Sequence, residues 1–260
     1  MSYNTITLSY EDRVAVLTLN RPDKRNAISF ELVDEVLHAL EEVEKSNAVV
    51  LVLTGAGKAF SGGLDLENLK ALIGRSHEQN VKDTQTMARL FRTLYDFPKP
   101  TVAAVNGAAI AGGTGLATLC DITIASTDAK FGYTEVRIGF IPAIVSSFLV
   151  RQVGEKQARD LLLTGRIFDA QEAYRIGLIN EVVAPEQLMA RVKEVVAQIL
   201  ENSPASVIAT KKLINSFEHE ALGEQIESAI VENARSRTTK DFHEGVTAFL
   251  EKRKPVWSGQ

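Results

Sequence analysis

The chain has little of what would mark a specialised architecture. A single cysteine, Cys120, in 260 residues rules out an internal disulfide and any zinc site built from cysteine. It fits a reducing compartment, and a cytoplasmic location is expected. Four histidines, none in an H-x-x-x-H pair, and no carboxylate cluster at ligand spacing give no metal site. Charge of one sign is also scarce: 29 Lys and Arg against 33 Asp and Glu leave −4. That balance gives no general attraction to nucleic acid or to anionic membranes, so neither is an expected partner. No basic stretch followed by an apolar run opens the sequence, so no signal peptide is expected. The longest uncharged stretch, Pro100 to Cys120, is broken by Asn106, four glycines and three threonines. It reads as buried core and not as a bilayer span.

What is present is an ordinary globular composition, 45% hydrophobic and 24% charged. At roughly 100–200 residues per domain, one large domain, or one with an appendage, is expected. A chain this long buries enough surface to need no covalent staple. Alternation over Arg13–Asn20 predicts a strand, with Tyr3–Leu8 as its partner. Ser29 is placed to cap a helix whose apolar face holds Phe30, Val33, Leu37 and Leu40. Ala48–Thr54, Thr101–Val105 and Ile122–Ala125 are continuous apolar runs, the pattern of strands buried on both faces. Helical stretches between them predict repeated strand–helix units over residues 1–183. Beyond that point only helical spacing appears, in Pro185–Glu201, Ser203–Phe217, Ala221–Arg235 and Thr239–Lys252. Residues 184–260 are therefore expected to form a helical tail.

Three segments could carry chemistry. TGAGKAFSGGLD, Thr54–Asp65, follows a buried strand, and its glycines allow the backbone to turn sharply and approach a ligand. It lacks the spacing of a phosphate-binding loop. VNGAAIAGGTGLATLCDI, Val105–Ile122, repeats the arrangement after the next strand. Two such loops could present paired N–H donors to one developing oxyanion, or could serve only close packing of helix on sheet. The third, FGYTEVRIGFIP, Phe131–Pro142, holds Glu135 in apolar company, where desolvation would raise its pKa and suit it to proton transfer. A glutamate reaching solvent is the alternative, and composition does not choose.

Together these segments resemble the enoyl-CoA hydratase/isomerase, or crotonase, superfamily. The resemblance extends from NRPDKRNAIS through LLLTGRIFDAQEAYRIGLINEVV to FHEGVTAFLEKRKPVW. It implies an α/β fold: a crotonase-like spiral of repeated β-β-α units, followed by a C-terminal helical region through which relatives trimerise or pair trimers. It implies an acyl-CoA substrate, with coenzyme A entering as part of that substrate and no covalently bound cofactor. The N–H groups of Leu64 and Gly112 match the donors to the thioester carbonyl, and Glu135 matches the acid/base. Arg25, the backbone at Ala27, Ile28, Gly62, Gly63, Asp65 and Leu66, and the tail residues Phe249 and Lys252 match positions that hold CoA. One departure stands out. Hydratases of the family carry a second glutamate three residues after the oxyanion glycine, and here that position is Gly115. Hydration and double-bond isomerisation therefore both stay open, as does a hydratase of methylglutaconyl-CoA type. Arg137, two residues past Glu135, offers a charge to a second substrate carboxylate, or is a surface charge. A non-catalytic acyl-CoA-binding protein is the rival from another class, and a serine hydrolase using Ser61 is a third reading, without a G-x-S-x-G elbow.

Overall fold

Apolar alternation decides the first hairpin. In the computed structural model, which describes residues 3–260, Ala15, Leu17 and Leu19 all point into the core from β2 (Val14–Leu19). β1 (Ile6–Glu11) pairs with it antiparallel, Ile6 opposite Leu19. The chain then enters α1 (Phe30–Lys45), where Ser29 accepts the N–H of Leu32 and buries Val33, Leu37 and Leu40 beneath it.

From β3 (Val50–Gly55) onward a single unit repeats. β3 turns a corner into the three-residue strand β4 (Ala59–Ser61), followed by α2 (Leu66–Ala71) and α3 (His77–Tyr95). β5 (Thr101–Val105) turns into β6 (Ala108–Ile110) and α4 (Gly112–Thr118). β7 (Ile122–Ser126) turns into β8 (Lys130–Gly132), a 3₁₀ turn at Glu135–Ile138, and α5 (Ala143–Thr164). β9 (Ile167–Asp169), α6 (Ala170–Arg175) and β10 (Glu181–Val183) close the series. The first strand of each unit joins one sheet, in the order β1-β2-β3-β5-β7-β10, and parallel from β2 onward. The second strands form another sheet, β4-β6-β8-β9, parallel except for its last pair. This is the expected β-β-α spiral. Its second-sheet strands are only three residues long, too short to show a period of two in the sequence.

The central strands of the larger sheet, β3, β5 and β7, are buried on both faces, as their unbroken apolar runs predict. Leu51 and Leu53 of β3 join the main core, while Val50 and Val52 face the opposite side. There they meet Leu188, Val192, Val195 and Val196 of α7 (Leu188–Leu200). The remaining helices are α8 (Pro204–Ser216), α9 (His219–Ser236) and α10 (Lys240–Leu250). α9 lies against α3 and α5 and sends Leu222, Ile226, Ala229 and Ile230 into the main core. α10 packs on the Glu135–Ile138 turn and on α2. The 184–260 segment thus covers the spiral instead of standing clear of it. α8 is the exception: Leu213, Ile214 and Phe217 at its end are 58%, 58% and 69% exposed. Among the described residues no helix is long and apolar enough to cross a membrane.

One buried side chain locks the loops that precede the site. Asn26, fully buried, accepts the N–H of Arg21 and donates to the carbonyls of Ala56 and Ala59 at 2.9 and 2.8 Å. Its own carbonyl takes the hydroxyl proton of Ser61. Asn26→Ala leaves the buried Ala59 carbonyl and the half-buried Ala56 carbonyl without this donor, each lost partner costing up to roughly 1–3 kcal/mol. Urea denaturation is expected to show a loss of about 3 kcal/mol.

Candidate active site

The loop after β4 and the loop after β6 fit together because each brings a glycine to the contact. Gly63, at φ +86°, would carry a Cβ 2.9 Å from the Ile110 carbonyl oxygen and 3.2 Å from the Ala111 Cβ. A Cβ on Gly113 would stand 2.5 Å from the Ser61 carbonyl oxygen. Any side chain at either position would push the loops apart. Ala111 takes a left-handed φ of 52° to enter α4. Such a conformation is unfavourable for alanine, and here packing on both sides maintains it.

This interlock brings the N–H groups of Leu64 and Gly112 to one cleft, which both residues line. Ile28 pairs with the Leu64 segment through its flanks: its N–H goes to the Gly63 carbonyl, and its carbonyl receives the Asp65 N–H. The Leu64 N–H is left over, and so is that of Gly112, the first residue of its helix. Neither donates to a backbone or side-chain acceptor among the described residues.

Glu135 opens its 3₁₀ turn on the wall of the same cleft. The residue as a whole is half-buried, but its Oε2 is closed off from solvent and has no hydrogen-bond partner. Desolvation therefore dominates, partly countered by a backbone hydrogen bond, and raises its pKa from 4.5 to about 7. A carboxyl group poised there can both accept and release a proton near neutral pH.

The cleft has a volume of about 990 Å³, enough for a large ligand. Arg25, Ala27, Ile28, Gly62, Asp65, Leu66 and Phe249 line it, as the family resemblance implies. Arg25, Leu66 and Phe249 are exposed there, free to meet an incoming molecule. Gly63 stands behind the wall as the contact described above. Lys252 is exposed and off the wall of its own chain, where Arg253 stands instead, engaged by Glu244 and Glu251. Asp65 lines the cleft with both oxygens committed: Oδ1 caps α2 at the Glu67 N–H, and Oδ2 takes Arg21 at 2.8 Å. Burial pushes its pKa up, and these bonds outweigh that, leaving it below the usual carboxylate range. Ser61 is fully buried and hydrogen-bonded to the main chain, so it is no nucleophile. Arg137 lines the cleft from an exposed position and forms no ion pair among the described residues.

The position to which the family resemblance assigns a second glutamate, Gly115, has no room for a side chain. A Cβ on Gly115 would lie 2.8 Å from Val145 Cγ1 and 3.4 Å from the Phe91 ring, so its space is already filled by apolar groups. Sequence reasoning also missed a polar group on the cleft wall: Asp83 and Thr84 of α3, Asn233 of α9, and Arg237 just after it. In sequence these read as ordinary helix-surface residues, since their partners lie some 150 residues away.

The enoyl-CoA hydratase/isomerase family model matches residues 9–260, and the chain belongs to that family. A Thermus thermophilus protein whose name carries the words enoyl-CoA hydratase is 45% identical over 93% of this chain and 96% of its own. A crotonyl-CoA hydratase of Syntrophomonas wolfei is 38% identical, covering 98% of each chain. Among solved structures, an enoyl-CoA hydratase/isomerase from Xanthobacter autotrophicus superposes with a TM-score of 0.89 at 30% identity, covering 97% of this chain and 98% of that one.

The raised pKa of Glu135 has a consequence for stability. Its folded-state value lies above its unfolded value, so the native state binds the extra proton and loses stability as pH rises from 4.5 to about 7. Glu135→Gln removes that loss. The variant is expected to match the parent near pH 4 and to exceed it by on the order of 3 kcal/mol at pH 8. Denaturation at both pH values checks this, and an equal difference at both would show that Glu135 is not desolvated.

Proposed function

We propose that this chain acts on an α,β-unsaturated acyl-CoA thioester, moving a proton at the carbons beside the thioester with Glu135 as its acid/base. The observation that carries the reading is Glu135, with its Oε2 closed off and unbonded, on the same cleft as two N–H groups with no acceptor. The thioester carbonyl would accept from the N–H groups of Leu64 and Gly112. Charge moves onto that oxygen as the enolate forms, and fixed backbone dipoles favour it without rearranging. In hydration, water attacks the β-carbon and gives its proton to the Glu135 carboxylate. The enolate forms, and Glu135 returns a proton to the α-carbon. Dehydration runs the same steps backwards. The names of the relatives favour this net reaction. CoA itself would lie along Arg25 and the backbone of Ala27, Ile28, Gly62 and Leu66, with Phe249 against it.

A second reading, double-bond migration, is favoured by Gly115. That reaction needs only one carboxylate: Glu135 takes a proton from the α-carbon of a β,γ-enoyl ester and returns it to the γ-carbon. Running the protein in heavy-oxygen water separates the two, because only hydration places label in the product. The proposal extends to a cytoplasmic homo-oligomer, a trimer or a pair of trimers, supported by the exposed apolar end of α8.

Three substitutions test the reading. Glu135→Gln keeps shape and removes the proton shuttle, so turnover is expected to fall about 10²–10⁴-fold while CoA-ester binding persists. Full activity in that variant would overturn the assignment. Arg25→Ala should weaken CoA-ester binding and flatten its salt dependence, with kcat at saturation little changed. Gly115→Glu should lower activity in either reaction, since the new side chain must displace Val145 and Phe91. A gain in hydration would show that this wall yields.

A further inference from the structure

Arg237 is out of balance with its surroundings. It is 5% exposed on the cleft wall, and its Nη1 has no hydrogen-bond partner. Nε donates to Asn233 Oδ1 at 3.1 Å, and the guanidinium stands 5.2 Å from the Phe140 ring centroid. The nearest carboxylate oxygen, Asp83 Oδ2, is 3.7 Å from Nη1, beyond hydrogen-bond reach. That same oxygen is already engaged by Arg75. Two guanidinium groups therefore share one carboxylate, and the buried group is the poorly paired one. Burial lowers its pKa to about 10, which still leaves it charged at neutral pH. A buried charge held only by a long, shared ion pair is costly unless something further neutralises it.

Its neighbours hold it in place. Asn233 Oδ1 also accepts from Thr84 Oγ1 at 2.9 Å, and its Nδ2 donates to the Ile141 carbonyl. The arrangement is rigid, tied to α3, α9 and the segment after Glu135. α3 also sets the distance. Phe91 packs over Gly115 and would lie 3.5 Å from a Cβ on Gly112, so it marks the end of the cleft where the thioester carbonyl would be held. Thr84, also lining the cleft, is two helical turns away on the same helix, about 10 Å at 1.5 Å per residue. The wall between is apolar, with Met87 on α3.

We infer that this cleft selects an acyl group ending in a carboxylate, whose oxygen accepts from Arg237 Nη2, the guanidinium nitrogen that is neither bonded nor closed off, beside Asn233 and Thr84. The inference rests on the acyl-CoA reading above and adds the substrate class. Arg137, the charge that the sequence offered for such a carboxylate, is exposed and carries no comparable desolvation. A charge-assisted bond in a closed site discriminates strongly against a methyl terminus, because the methyl leaves the guanidinium unpaired.

Suberoyl-CoA and octanoyl-CoA, saturated and inert, differ only at that terminus and have the reach required. Calorimetric binding to the intact protein is expected to favour suberoyl-CoA by at least about tenfold. Arg237→Gln should abolish the preference and Arg237→Lys should keep part of it. In turnover of the matching unsaturated pair, the ratio of kcat/KM values should fall in Arg237→Gln chiefly through KM. Equal or weaker binding of suberoyl-CoA by the parent protein would overturn the inference. So would an equal loss on both substrates in Arg237→Gln, the mark of a structural role. Should that variant fail to melt cooperatively, the parent's preference and the Lys variant decide. A preference without any turnover would support the inference while refuting the catalytic reading. Failure of both esters to bind would refute both.

Discussion

Everything at this site depends on two stretches of backbone that meet at glycines. Gly63 against Ile110 and Ala111, and Gly113 against Ser61, are contacts closer than any Cβ allows. The short second sheet makes them possible, because β4 and β6 run parallel, Ala59 beside Ala108. Each strand then delivers its glycine-rich loop to the same edge. Two N–H groups fixed in this way need no side-chain ordering to receive negative charge. In the proposed reaction this is their whole contribution: dipoles already oriented for the enolate before it exists.

The same economy of polar groups raises the pKa of Glu135. Few polar atoms face it, so its ionised form is poorly solvated and its affinity for a proton rises. That arrangement is unfavourable for stability, and the surrounding packing has to hold it. α10 does much of this. A Cβ on Gly245 would lie 2.3 Å from the carbonyl of Ile138, and one on Gly139 would lie 2.3 Å from that of Asp241. The final helix is thus pressed directly onto the turn that begins with Glu135, and the Phe242 ring packs beside Phe140 at a tilt of 43°. The C-terminal helices contribute to the site through this contact, whatever they add in assembly.

How much of this was legible follows from range. β2, β5, α1 and the tail helices were readable because their signals are local: alternation, a Ser29 cap, unbroken β-branched runs. The strands of the second sheet were not, since three residues carry no period. Glu135 stood out only as an acid in apolar company, and the turn it opens is packed by α10, over a hundred residues away. Asp65 was legible differently from how the family resemblance placed it. An aspartate directly before LENLKA is a helix cap by its chemistry, and that is how its Oδ1 is used. Arg237 left no local trace. Its meaning comes from Asp83 and Arg75 on an earlier part of the chain, and from having one carboxylate too few.

α3 connects these observations. At one end Phe91, with Val145, fills the space that a side chain at Gly115 would need, so the wall there is apolar. At the other end Asp83 and Thr84 help build the cleft's polar group around Arg237. In the proposed chemistry the helix therefore separates proton transfer from charge recognition by about two turns of apolar wall. That separation matters electrostatically. A substrate carboxylate placed near Glu135 would raise its pKa further and hold it protonated, leaving no base. Held instead by Arg237, the same charge is neutralised where it binds. A single-glutamate site can then admit an anionic substrate without losing the proton acceptor on which the proposed chemistry relies.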